Sequence, residues 1–408
     1  MKVRRQSPVG PNPIVLLLIL AIAACGKAAE EPPTPLPTAI ESPVSNGPAW
    51  RPGYLRPPVI DIHGHVYPSG VERLRRVMTE NGLVRVVNLS GGVIGRGAEE
   101  RVELEARFPA MQHLLNVDWR LRAREGFGAY MARSLEVAVK RHGFKGLKIS
   151  KALGLYLTDI DGKRIPVDWP ELDPMWEMAG ELGVPVAIHT SDPKAFWLPV
   201  TPENERFEEL NAHPSWSFAG PEYPSRDALL AERDRMIAKH PKTTFMCVHF
   251  GNNPEDLDAV DTLLTTYPNV VIDTAARLGE IGRHSPEKVR AFFIKHQDRI
   301  LFGTDMGLAE KFIMLGSTGE DEPTLDDVKP FYDAHWRFFE GGETQIDHPT
   351  PIQGRWKIDA INLPEAVLNK LYFANAKRIF KLDDPGSGNV RPQEPPDDGA
   401  LNKKAAHP

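Results

Sequence analysis

The chain has 408 residues, 41% of them hydrophobic and 25% charged, which suits a globular protein with a large core and excludes a disordered or fibrous one. A formal net charge of −6 offers no basic surface to neutralise phosphates, which excludes nucleic acid as a partner. The two cysteines, Cys25 and Cys247, stand in such different surroundings that they are not expected to pair.

Residues 1–24 have the anatomy of an export leader. Lys2, Arg4 and Arg5 precede the apolar run Ile14 to Ala24, which is too short to span a bilayer comfortably. Ile22-Ala23-Ala24-Cys25 resembles the lipobox of bacterial lipoproteins. The resemblance implies cleavage before Cys25, acylation of its sulfur, and a membrane partner engaged through lipid in the cell envelope, outside the cytoplasm on the periplasmic or surface side. An ordinary cleaved signal is the alternative. Residues 25–56 read as a spacer, since Glu31 to Pro58 carries nine prolines and little to bury.

From 57 to 382, short apolar runs alternate with amphipathic stretches, the pattern of parallel strands joined by crossover helices. Eight runs are expected as strands: Val59–Ile62, Val84–Leu89, His113–Val117, Phe144–Ile149, Pro185–His189, Thr244–His249, Val270–Asp273 and Ile300–Phe302. Eight is the number that closes a (β/α)8 TIM barrel, with long loops at its C-terminal face. Helices are expected over Arg226–His240, Pro254–Tyr267 and about Leu325–Phe339, and a last one is expected to start at Asn362 with Pro364 and Glu365 in its first turn. Asp159-Ile160-Asp161-Gly162 reads as a hairpin turn rather than a calcium loop, and Cys247 as a buried strand residue. Residues 383–408 have almost nothing to bury and read as a disordered tail.

The chemistry gathers at strand ends. Asp61-Ile62-His63-Gly64-His65 puts two histidines on one side of an extended chain, His189 and His249 end the fifth and sixth runs, and Asp305 follows the eighth. In a barrel these ends share one mouth, so imidazoles and a carboxylate surround one point, a donor set suited to Zn2+ or a similar divalent ion such as Mn2+.

These residues resemble the amidohydrolase superfamily, in its amidohydrolase-related (type 2) branch. The matching pieces are Ile60 to His65, Gly143 to Lys148, Val184 to His189, Val248 to Gly251, Leu301 to Asp305 and Asn375 to Arg378. The resemblance implies one divalent metal held by His63, His65, His189 and Asp305. Asp305 would also take the proton of a metal-activated water, and His249 would polarise the substrate or shuttle a proton. Lys148, in the fourth run, has two readings: a carboxylated bridge between two metals, or a substrate contact.

The expected reaction is hydrolysis of a small carbonyl substrate, an ester, lactone or amide. Two rivals stand beside it. Relatives of the same branch decarboxylate aromatic or unsaturated acids, and a surface lipoprotein that binds metal or ligand without turnover would share the anchor and spacer. Substrate choice is expected in two long segments: the one after the fifth run, with Trp197 and Arg206, and Met306–Trp356, which carries the aromatic cluster Tyr332, Trp336, Phe338 and Phe339 on its expected helix and is a candidate cover for the mouth. A homo-oligomer is compatible with all of these readings.

Overall fold

The computed structural model describes residues 50–319 and 321–384, so the leader with Cys25, most of the spacer and nearly all of the tail lie outside the described residues. Eight parallel strands follow one another around a barrel: β1 (Val59–Val66), β2 (Leu83–Asn88), β3 (Met111–His113, continued by Leu115–Asn116), β4 (Leu147–Ile149), β5 (Val186–Ile188), β6 (Phe245–Cys247), β7 (Val270–Asp273) and β8 (Ile300–Leu301). The ring closes where Ile62 N–H donates to Phe302 O at 3.1 Å and where Gly64–Val66 pairs in parallel with Met306–Leu308. Each expected run therefore forms a strand, and Cys247 is buried in β6.

The runs are apolar throughout because both faces of a parallel strand are covered. Ile60, Val87, Ala187, Met246, Val271 and Leu301 point into the barrel, where Ala376, Phe380 and Leu382 from the chain end join their cluster. Their neighbours Val59, Val86, Val186, Phe245, Val270 and Ile300 point outwards into the larger cluster shared with the helices. This two-sided alternation is the two-residue period of an extended chain.

Helices Arg226–Lys239 and Leu257–Thr266 lie where the apolar spacing predicts them. The hairpin reading at Asp159 also holds, since its carboxylate accepts from Asp161 N and Lys163 N and Thr158 bridges Arg164. Two expectations change. Asn362 does not cap the last helix; it sits at φ 41°, and the helix begins at Glu365 because Pro364, extended at ψ 147°, takes the capping position. The helix then widens into a π segment over Lys370–Ala374 before Asn375–Ile379.

Within the segment Met306–Trp356, expected as a candidate cover, the helix Leu325–Glu340 forms where predicted, started by a Thr324–Asp327 capping box, and takes no part in covering the mouth. Tyr332, Trp336 and Phe339 are buried against Phe302, so it packs on the barrel wall between β8 and β1. Among the described residues, no helix is long and apolar enough to cross a membrane.

Candidate metal centre

The mouth of the barrel begins with an irregularity in β1. Its register against β2 shifts between Asp61 and Gly64, a kind of defect that re-aims side chains beside active sites. Asp61 stays on the outer side, accepting from His63 N, from Thr304 and from the Tyr332 hydroxyl, and burial pushes its carboxyl up to about 6. His63 reaches the centre instead. Its approach to the loop after β8 needs Gly303, where an added Cβ would lie 2.9 Å from His63 Cβ.

Three groups converge most closely: His63, His249 and Asp305 each offer a ligand atom within 4.8 Å of the others. His63 Nε2 lies 3.4 Å and His65 Nε2 3.3 Å from the same Asp305 oxygen. Two donors on one tetrahedral ion at about 2.0–2.1 Å are separated by about 3.3–3.4 Å, so these spacings already suit shared coordination. The His249 ring is 4.8 Å from that of His63 and 4.4 Å from that of His189. All five residues expected at the site are thus neighbours. His249, expected as a catalytic group, belongs to the tightest trio, while His189 joins from its far side.

The hydrogen bonds fix which ring nitrogens are free. His249 Nδ1 faces Ala275 O at 3.0 Å, and a carbonyl only accepts, so Nδ1 carries the hydrogen and Nε2 keeps its lone pair. His189 Nε2 faces Ser191 O at 3.0 Å and Asp192 Oδ1 at 3.2 Å, so Nε2 carries the hydrogen and Nδ1 keeps the free lone pair. His63 Nδ1 lies 2.7 Å from Asp273 Oδ2, while its Nε2 is buried with no hydrogen-bond partner. A bare nitrogen lone pair opposite the Asp305 carboxylate is repulsive by itself, and a cation held between them would relieve it.

Protonation follows the same logic. Burial, reinforced by Lys148, holds His63 well below the usual imidazole range; burial and the neighbouring His189 do the same for His249; and burial also lowers His189. Burial opposes charge on Asp305, yet the hydrogen bond from His65 and the nearby Lys148 ammonium hold its carboxyl below the usual range. Neutral imidazoles and an ionised carboxylate are the forms that ligate a metal. Lys148 is buried too, which brings its ammonium down to about 8 against the pull of Asp305 and Asp273.

Asp273 is the member that motif reading passed over. One oxygen takes His63 Nδ1, and the other accepts from His249 N at 2.7 Å and Ala275 N at 3.2 Å, so a single carboxylate orients two ligand loops. Burial pushes it up to about 7. Its signal was an acid closing the seventh run, where the other strand ends carry chemistry.

Trp197 and Arg206 are placed differently from the histidines. The Trp197 indole donates to Pro224 O at 2.9 Å and packs on Phe218. Arg206 is 0% exposed and paired with Glu209 and Glu280, so it lies below the surface that a ligand can reach.

Among solved structures, the chain is similar to 2,6-dihydroxybenzoate decarboxylase from Rhizobium, at 16% identity over 79% of this chain and 98% of that one, with a TM-score of 0.47. It is also similar to a dihydroxybenzoic acid decarboxylase from Polaromonas sp. JS666 with bound manganese and 2-nitroresorcinol, at 15% identity over 79% and 97% with a TM-score of 0.49. A third is 4-oxalomesaconate hydratase from Rhodopseudomonas palustris, at 14% identity over 79% and 95% with a TM-score of 0.47. No curated protein sequence matches the chain. The profile of the family described as amidohydrolase matches residues 60–382, and the chain belongs to that family.

Proposed function

We propose that this protein is a metal-dependent hydrolase that adds water to the carbonyl of an ester, lactone or amide at the mouth of the barrel. One observation carries the reading: the buried, partnerless Nε2 of His63 converges with His249 and the ionised Asp305. His63, His65, His189 and Asp305 would hold one divalent ion, Zn2+ or Mn2+, with His249 able to approach it. Bound there, the ion supplies positive charge that polarises the carbonyl and acidifies water.

Within that arrangement Asp305 is the base that takes the proton of the attacking water and returns it to the leaving group. Its low pKa keeps it charged at neutral pH. His249, with Nδ1–H committed to Ala275 O, presents an acceptor nitrogen, so it can receive a proton but donate one only after receiving it. The buried Lys148 ammonium, beside Asp305 and Asp273, is a charged group available for contact with the substrate. We further propose that residues 57–382 form the catalytic unit and that Cys25 carries the lipid anchor.

The test is metal analysis of the full chain, followed by a screen of lactones, esters, amides and aromatic acids in 18O-labelled water with Zn2+ or Mn2+ restored. Label in the product, lost with Asp305→Asn, is the expected result. Carbon dioxide release without label would replace hydrolysis by decarboxylation, and bound metal without turnover would make the protein a binder. Labelled-lipid uptake that disappears in Cys25→Ser is expected for the anchor, and uptake unchanged in that variant would refute it.

A further inference from the structure

The loop after β2 grips His65 from two sides. Asn88, the last residue of β2, is fully buried, and every hydrogen-bonding position of its amide is used. Oδ1 accepts from Val66 N at 2.9 Å and from Ser90 N at 3.0 Å, while Nδ2 donates to Val66 O at 2.8 Å and meets His113 Nδ1 at 3.2 Å. Because Val66 offers both a donor and an acceptor to this one side chain, the amide has a single orientation. It pins the backbone beside His65 to that of Ser90, and Leu89 N donating to Gly64 O at 2.8 Å adds a further tie. Arg101, from the helix Ala98–Arg107, closes the frame with Nε donating to Ser90 O at 3.3 Å.

Ser90 uses this frame to present its hydroxyl to the ring. Oγ lies 2.7 Å from His65 Nδ1, and on the ring's other side Nε2 lies 3.3 Å from the Asp305 oxygen that His63 also approaches. Packing does less for this ring than for its neighbour, since the His65 side chain is 26% exposed and that of His63 0%. The partner also differs in kind. The Asp273 carboxylate only accepts, so it fixes the hydrogen of His63 on Nδ1, whereas a hydroxyl both donates and accepts. Ser90 can therefore donate to Nδ1 while Nε2–H faces Asp305, or accept from Nδ1–H while Nε2 offers a lone pair. The ring carries one hydrogen in both forms.

We propose that Ser90, held in place by Asn88, is the positioning residue of His65: it keeps the ring aimed at Asp305 in either tautomer, so that His65 takes its ligating form without turning. This deepens the metal-dependent reading and rests on it only for His65 being a ligand.

The test reads the ring itself. Histidine Cε1 is labelled with 13C in the full chain, and NMR relaxation measures ring motion after chelation. The native His65 ring is expected to be as rigid as that of His63. Ser90→Ala should loosen His65 and leave His63 unchanged, and Ser90→Thr, which keeps the hydroxyl, should restore the rigidity. With Zn2+ returned, Ser90→Ala should bind it about 10- to 100-fold more weakly in chelator competition, as loss of an outer contact to a ligand implies, and Ser90→Thr should bind as the native protein does. A His65 ring that is mobile in the native protein, or equally rigid without the hydroxyl, overturns the proposal, as does native affinity in Ser90→Ala. If no form of the protein binds metal, the metal centre is refuted, while ring motion still decides whether Ser90 holds His65.

Discussion

Replacing Asp273 by Asn separates geometry from charge at the centre. In the native protein one oxygen meets His63 Nδ1 and the other accepts two backbone N–H groups, from His249 and Ala275. The amide has one oxygen, and two N–H groups outbid one, so its NH2 turns towards His63 Nδ1. That nitrogen must then accept, the ring hydrogen moves to Nε2, and the lone pair facing Asp305 is lost. Loss of such an outer contact weakens metal binding by about 10- to 100-fold, or about 1.4 to 2.7 kcal/mol. The fold should be little affected, because the variant also removes a buried charge at a side chain with no solvent exposure. Competition with a calibrated chelator gives the affinity, and thermal melting with and without chelator gives the stability. An Asp273→Asn protein that melts normally and holds metal as tightly as the native one would refute the orienting role of Asp273.

Gly303→Ala would press a methyl to 2.9 Å from His63 Cβ, so a loss of about 1–3 kcal/mol is expected, with weaker metal retention, by denaturant titration and chelator competition. Phe302→Ala would empty the wall between Trp336 and Tyr372, whose rings lie 4.9 and 5.5 Å away, and a loss of about 3–5 kcal/mol should show as a lower unfolding midpoint. Acid should destabilise the fold through two histidines remote from the metal ligands: burial, with Arg101 nearby, holds His113 down at about 3, and burial holds His335 at about 4. Both stay neutral when folded and take a proton near pH 6.5 when unfolded, so their contribution is whole above 6.5 and falls below it by up to about 1.4 kcal/mol per pH unit each. Denaturation at pH 7 and pH 5 checks this, and a His335→Gln protein with an unchanged pH slope would count against it.

The barrel was legible because parallel strands covered on both faces need uninterrupted apolar runs, and eight such runs leave few ways to close. Boundaries slipped where local chemistry carried two meanings. At Asn362 a capping residue, a proline and a glutamate in the right order suggested one start, and the fixed torsion of Pro364 moved it to Glu365. The aromatic residues Tyr332 to Phe339 suggest that the segment Met306–Trp356 covers the mouth, although they fall on an expected helix. Their spacing is equally that of a helix face, and the barrel wall takes it.

Histidines and Asp305 were legible as a set, since each closes a strand, but their relative aim was not. That aim depends on backbone torsions written weakly in sequence: His249 and Phe250 sit at φ 55° and 57°, and Asp305 at 63°. Left-handed non-glycine residues cost on the order of 1–3 kcal/mol each and persist only where surroundings overdetermine them. Here the surroundings are distant in sequence. Arg233 donates to Gly251 O at 2.6 Å, Arg226 to Asn252 O at 2.7 Å, and the Asn252 side chain ties the turn back to Ser191 beside His189. Asp273 holds the N–H of His249 from the next strand. Only Gly251 and Asn252 advertise a left-handed turn by residue type. The arginines that clamp it sit on the helix Arg226–Lys239, where the residue pattern alone makes them ordinary polar positions. The strain at His249 is therefore a property of three elements acting together, which is why motif spacing located the histidine but not the nitrogen it presents.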